Sequence, residues 1–171
     1  VANNLNDIGK DHPALLVATA KRWMRGATEE RRWIIRHALR SAVKRGDSGA
    51  LGLLGFGEAA RISVEKVKIS PQRPAIGSSV AIACEIANRA PVVQRLLVDL
   101  RVHYVKANGV QRPKVFKLKQ VELVPRETAP VRKTLSLDQL TTRTHYPGRH
   151  AVEVLINGQA YPLGTFELTD R

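Results

Sequence analysis

The feature that most constrains this chain is a change of apolar rhythm close to residue 60. Before it, apolar residues recur every three or four positions, the spacing of one helix face. After it they alternate, the spacing of a strand with one side buried. One layer of secondary structure cannot satisfy both rhythms, so two parts are expected, 1–58 and 59–171.

In the first part, Val1, Leu5 and Ile8 form one face of a helix that ends near Asp11, with Asn3, Asp7 and Lys10 opposite. Pro13 stands where a first-turn proline is tolerated, and Leu16, Ala20, Trp23 and Met24 make a second stripe that stops at Gly26. Both tryptophans, Trp23 and Trp33, fall at core-like spacings and read as packing residues. Thr28 is placed to cap a third helix, with Glu29 and Glu30 against the positive end of its dipole. That helix is expected to run to about Arg45, to bury Ile34, Ala38 and Ala42, and to close at Gly46. Asp47 caps a short fourth helix that Gly55 and Gly57 end. Asp11-His12-Pro13-Ala14-Leu15 and Asp47-Ser48-Gly49-Ala50-Leu51 recur about 36 residues apart, each opening a helix, which points to the end of a paired-helix solenoid of HEAT type.

After Arg61 come β-branched residues and regularly spaced turn residues. Strands are expected at 62–69, 79–88, 96–105, 115–122, 132–136, 150–156 and 163–168, which suits an immunoglobulin-like sandwich. Asn108-Gly109 and Asn157-Gly158 are hairpin turns, and Tyr146-Pro147-Gly148 reads as a corner before a strand. The fold class is therefore α+β: the end of an α-helical HEAT-like solenoid followed by an immunoglobulin-like β-sandwich. The chain starts within a helical pattern, without Met, and reads as a fragment of something longer.

Lysine and arginine number 28 against 15 acidic residues, a net charge of +13. About +4 belongs to residues 1–58 and about +9 to the rest, so both parts favour polyanionic partners. No stretch reaches membrane-spanning length, and no membrane association is expected. The single cysteine, Cys84, excludes an intrachain disulfide and suits a reducing cytoplasm; its apolar neighbours suggest a buried small hydrophobe. His145 and His150 lack a third ligand at metal spacing, so no metal is expected. Phosphate-loop, Ser-His-Asp and dinucleotide patterns are absent, which argues against nucleotide hydrolysis, triad hydrolysis and dehydrogenation.

Arg36, Arg40 and Lys44 recur every fourth residue, with Arg32 one turn earlier, making a cationic row that matches a phosphate backbone. Asn3, Asp7 and Lys10 offer a second polar row on the first helix. In the β part, Arg112, Lys114, Lys117 and Lys119 follow the Asn108-Gly109 turn, and Arg126, Arg132, Lys133 and Arg143 decorate later loops.

VANNLNDIGKDHP at 1–13 and RRWIIRHALRSAVKRGDSGALGLLGFG at 31–57 resemble the AlkC and AlkD alkylpurine DNA glycosylases, AlkC more closely. AlkC-type proteins carry an immunoglobulin-like domain after HEAT-like repeats, the order read here from texture. The resemblance implies hydrolysis of the N-glycosidic bond of a cationic alkylated base, such as 3-methyladenine, without flipping the base out of the duplex. By that similarity Asp7 is the candidate catalytic carboxylate. Asn3, Lys10, Arg32, Arg36, Arg40, Lys44, Arg112, Lys114 and Lys117 are candidate DNA-binding residues. AlkD-type repeats place aromatic side chains beside the lesion, whereas Ser41 occupies the comparable position here. Other cleft residues of the family are expected before Val1.

The expected partner is double-stranded DNA containing alkylated bases, met by a monomer in the bacterial cytoplasm at the nucleoid, with no cofactor. The rival readings are a non-catalytic DNA- or protein-binding module and a purely adhesive β domain.

Overall fold

The computed structural model describes residues 1–57, 59–141 and 144–170. They form an α+β chain of two compact units, Val1–Ala59 with Asn157–Gln159, and Ala60–Ile156 with Ala160–Arg171. Arg143 lies outside the described residues.

The helical unit contains α1 (Ala2–Asp11), α2 (Pro13–Met24), α3 (Glu29–Ala38), α4 (Arg40–Lys44) and α5 (Ser48–Leu53). Their ends follow local chemistry. Thr28 Oγ1 accepts from the Arg31 amide at 3.3 Å and Asp47 Oδ1 from the Ala50 amide at 2.8 Å, so each cap satisfies one orphan donor. Gly26 and Gly46, at φ +61° and +77°, turn the chain where a side chain would be strained.

Two helical expectations need correction. In α1 the buried residues are Ala2, Asn6 and Gly9, while Val1 and Ile8 are exposed. Small side chains let another backbone approach closely: a Cβ on Gly9 would stand 2.2 Å from Leu16 Cδ2. Close packing therefore outranked side-chain hydrophobicity in choosing the buried face. The third helix is also interrupted. Leu39 separates α3 from α4, yet it keeps right-handed helical angles, and helical bonds run from Leu39 N to Ile35 O and from Val43 N to Leu39 O. The row of cations thus continues across the break. The face that this pair of helices buries is Ile35, Ala38, Leu39, Ala42 and Val43, with Ile34 only half-buried.

The second unit is a sandwich of seven strands: β1 (Ile62–Ser70), β2 (Ser79–Asn88), β3 (Gln94–Val105), β4 (Gln111–Leu123), β5 (Thr128–Ser136), β6 (Gly148–Ile156) and β7 (Gln159–Leu168). One sheet has the order β1-β2-β5 and the other β4-β3-β6-β7. Val80, Ile82, Cys84 and Ile86 of β2 face inward, as do Leu96, Val98, Leu100, Val102 and Tyr104 of β3, and all are buried in one apolar core. Alternation read from the sequence thus placed both strands on their correct faces. Asn157 and Gly158 both take positive φ, as a two-residue hairpin turn requires.

The strands outrun their sequence signals at several ends. β4 begins at Gln111 and β5 at Thr128, so Arg112, Lys114, Arg132 and Lys133 lie on strands and not on loops. Polar edge strands alternate weakly because solvent covers much of them, which is why their ends are hard to read. Tyr146-Pro147-Gly148 leads into β6, but Tyr146 is half-buried. The ring sealed in the core is Tyr104, packed with His145, His150 and Phe166; the His150 and Phe166 rings stack at 4.9 Å.

Candidate nucleic-acid interface

α1 packs against α2, α3 and α4. Buried Asn6 pins it: Asn6 Oδ1 accepts the Ser41 amide at 3.2 Å, and the Arg45 guanidinium donates to Gly9 O at 3.1 Å. These bonds orient the next residue, Asp7, which stays exposed. Lys10 Nζ lies 2.8 Å from Asp7 Oδ1. That hydrogen bond and the Lys10 charge hold the Asp7 carboxyl below the usual aspartate range, with smaller contributions from Asn6 and from the charge of Arg40. Asp7 is therefore a carboxylate at neutral pH. The bond from Ser41 to Asn6 joins the residue after Arg40 to the residue before Asp7, so the middles of the acidic and cationic rows lie on adjoining turns of the two helices.

The cations differ in how much charge they offer. Arg32 Nη1 pairs with Glu29 Oε1 at 2.7 Å, and Lys10 with Asp7, so both are locally compensated. Arg40 is half-buried and donates to His37 O at 2.9 Å, a neutral acceptor. Arg36 and Lys44 are exposed, with no hydrogen bond or ion pair among the described residues. Asn3 is exposed on α1.

Trp33 departs from its packing expectation. It is 61% exposed and lies nearly parallel to the His37 ring, with centroids 5.1 Å apart and planes 7° from each other. Apolar spacing could not reveal this, because the same spacing also fits the exposed side of a helix whose buried face is supplied by Ile35, Ala38 and Leu39. Trp23 is half-buried.

The basic residues of β4 divide between two places. Arg112 pairs in register with Tyr104 and Lys114 with Val102, so both occupy one strand face. With Lys106, Asn108, His145 and Tyr146 they line a cavity of about 750 Å³ at one end of the sandwich. Lys114 Nζ also stands 5.3 Å from the centre of the Phe116 ring. Lys117 pairs with Asp99, and lines a separate groove with Lys119, Arg132 and Lys133 between β4 and β5. Lys117 stands an odd number of residues from both Arg112 and Lys114 in a regular stretch of register, so strand alternation puts it on the opposite face; the irregularity falls beyond it, between Lys117 and Lys119. No set of three His, Cys, Asp or Glu side chains gathers among the described residues. No helix among them is long and apolar enough to cross a membrane.

Fold and charge together define a class: a basic α+β chain with an ionised carboxylate on a cationic helical surface and a seven-stranded immunoglobulin-like domain. The family model for the C-terminal Ig-like domain of protein YhaZ matches residues 63–170, and the chain belongs to that family. It is 38% identical over 159 residues to YhaZ of Bacillus subtilis, spanning 93% of this chain and 44% of that protein. It is similar, at 39% identity and a TM-score of 0.88, to the alkylpurine DNA glycosylase AlkC of Pseudomonas fluorescens, solved bound to DNA containing an abasic site analog. That match covers 98% of this chain and 46% of that one. The resemblance read from residues 1–13 and 31–57 is thus found again in the folded chain. A β-glucosidase of Listeria innocua, 16% identical with a TM-score of 0.54 over 67% of this chain and 17% of its own, shares the fold alone. The chain spans less than half the length of YhaZ and of AlkC.

Proposed function

We propose that this chain is part of an alkylpurine DNA glycosylase that removes cationic alkylated bases, such as 3-methyladenine, from duplex DNA without flipping them. Residues 1–58 are the end of its HEAT-like repeats and 59–171 its immunoglobulin-like domain. The α1/α2 pair followed by α3–α4/α5, with α2 and α5 each opening at corresponding points of the recurring motif, supports the repeat reading. The observation that carries the function is the ionised Asp7 carboxylate beside Arg40, in a chain similar over 98% of its length to a glycosylase solved on DNA.

Chemistry follows from charge. As the C1′–N bond breaks, its electron pair goes to the base, which leaves neutral, and positive charge develops on the deoxyribose. A carboxylate stabilises that oxocarbenium character and orients the attacking water, whose oxygen bonds C1′ and whose proton passes to solvent. A base that is already cationic needs little acid assistance, so one carboxylate suffices where ordinary glycoside cleavage uses two. Asn3, Lys10, Arg32, Arg36, Arg40 and Lys44 hold the backbone on the helical side, and Arg112, Lys114 and Lys117 do so from the β domain. These contacts position the duplex and carry no sequence readout. The protein acts as a monomer at the bacterial nucleoid.

The test is release of 3-methyladenine from alkylated duplex DNA by the longer protein. Asp7→Asn should slow the chemical step by about 100- to 1000-fold, the scale of losing one preorganised electrostatic group, with DNA affinity retained. Unchanged release removes Asp7 from the mechanism. Loss of release together with loss of binding assigns Asp7 a structural role.

A further inference from the structure

The exposed Trp33–His37 pair is the feature of the helical surface that the proposed chemistry does not use. A large aromatic left in water needs an explanation, since burying an indole is among the most favourable contacts a side chain makes. Trp33 is 61% exposed, and the parallel His37 ring covers one of its faces. Helical periodicity carries Trp33, His37, Arg40 and Lys44 along one face through the α3–α4 break, at intervals of four, three and four residues. An aromatic plate on a cationic face is poorly suited to an apolar partner, which would have to desolvate Arg40 and Lys44. Nucleic acid suits it, because phosphates meet the cations while the apolar face of a backbone deoxyribose meets the ring.

We propose that Trp33, held by its stack on His37, is a platform for a nucleotide flanking the lesion. This inference rests on the DNA-binding reading above and deepens it. Trp33 precedes Arg40 by seven residues, about 10 Å along the helix axis. Ser41, next to Arg40, is bonded to Asn6, next to Asp7, so at about 3.4 Å per nucleotide a duplex lying along the helix meets the platform about three steps from the scissile nucleotide. It is a positioning residue. Ser41, at the position where AlkD-type repeats carry a lesion-side aromatic, is a different site two helical turns further on.

The chain has two tryptophans, so Trp23→Phe leaves Trp33 as the sole indole reporter. The probe is a duplex containing a tetrahydrofuran abasic analogue, used at full length and shortened to two base pairs on either side of it. Full-length duplex should quench Trp33 emission, and shortening on one side only should abolish the quenching. Trp33→Ala should weaken binding by about tenfold, and Trp33→Phe should restore most of it. Salt-dependent binding with a silent Trp33, or equal affinity of Trp33→Ala and the unsubstituted chain, overturns the platform and leaves the DNA-binding reading standing. A chain that shows no salt-dependent binding to any duplex overturns both.

Discussion

Replacing Arg36 and Lys44 together with alanine should flatten the salt dependence of DNA binding by a calculable amount. Both side chains are exposed and unengaged among the described residues, so each presents a whole charge to a phosphate. Each phosphate contact contributes about 0.9 to the slope of log affinity against log salt, so losing two should reduce the slope by about 1.8. Over a fourfold rise in salt, the double variant should then lose about twelvefold less affinity than the unsubstituted chain. The assay is fluorescence anisotropy of a labelled duplex, titrated at several salt concentrations between about 50 and 200 mM. Circular dichroism should be unaltered, because exposed substitutions of this kind move stability by no more than about 0.5 kcal/mol. Arg32→Ala is the internal control. Its guanidinium is compensated by Glu29, so its effect on the slope should be less than half that of Lys44→Ala. An unchanged slope in the double variant, or an Arg32→Ala effect as large as that of Lys44→Ala, would refute the assignment of uncompensated cations to phosphates.

Two further substitutions probe the folded state. Gly9→Ala would ordinarily strengthen a helix by about 1 kcal/mol, but its Cβ would stand 2.9 Å from Leu16 Cβ as well as 2.2 Å from Cδ2. Overpacking costs about 1–3 kcal/mol, so thermal melting followed at the helical band should shift downward. Gly52→Ala, whose Cβ meets only Gly57 Cα at 3.8 Å, should shift it upward; a rise for both variants would contradict the close α1–α2 seam. In the β domain, burial depresses the His150 pKa, opposed by the Gly148 carbonyl and Glu167. His150 Nδ1 donates to Gly148 O at 2.8 Å, and Nε2 is buried without a hydrogen-bond partner, so the folded state holds the neutral ring. The unfolded ring binds its proton near pH 6.5, so stability from this group is complete above that value and declines as pH falls below it. His150→Phe should therefore melt with a weaker dependence on pH between about 7 and 5; a dependence equal to that of the unsubstituted chain would show that His150 is not the group responsible.

Local chemistry alone determined much of this protein. The caps at Thr28 and Asp47, the glycine stops, the hairpin at Asn157-Gly158 and the inward faces of β2 and β3 all follow from rules that act within a few residues. The excess of cations, and the every-fourth-residue row from Arg36 to Lys44, were equally legible, because helical spacing survives the break at Leu39. Tertiary structure decided which groups meet. It turned α1 onto Ala2, Asn6 and Gly9, because close approach to Leu16 needs the absence of a side chain, a property of the neighbour and not of α1. The pairs that compensate Lys10 and Arg32, by contrast, are i,i+3 neighbours within one helix and belong to the local chemistry. Trp33 came out into solvent because other residues had already filled the face beneath it. Periodicity names the faces of an element; only the packing of other elements against it decides which of them stays in water.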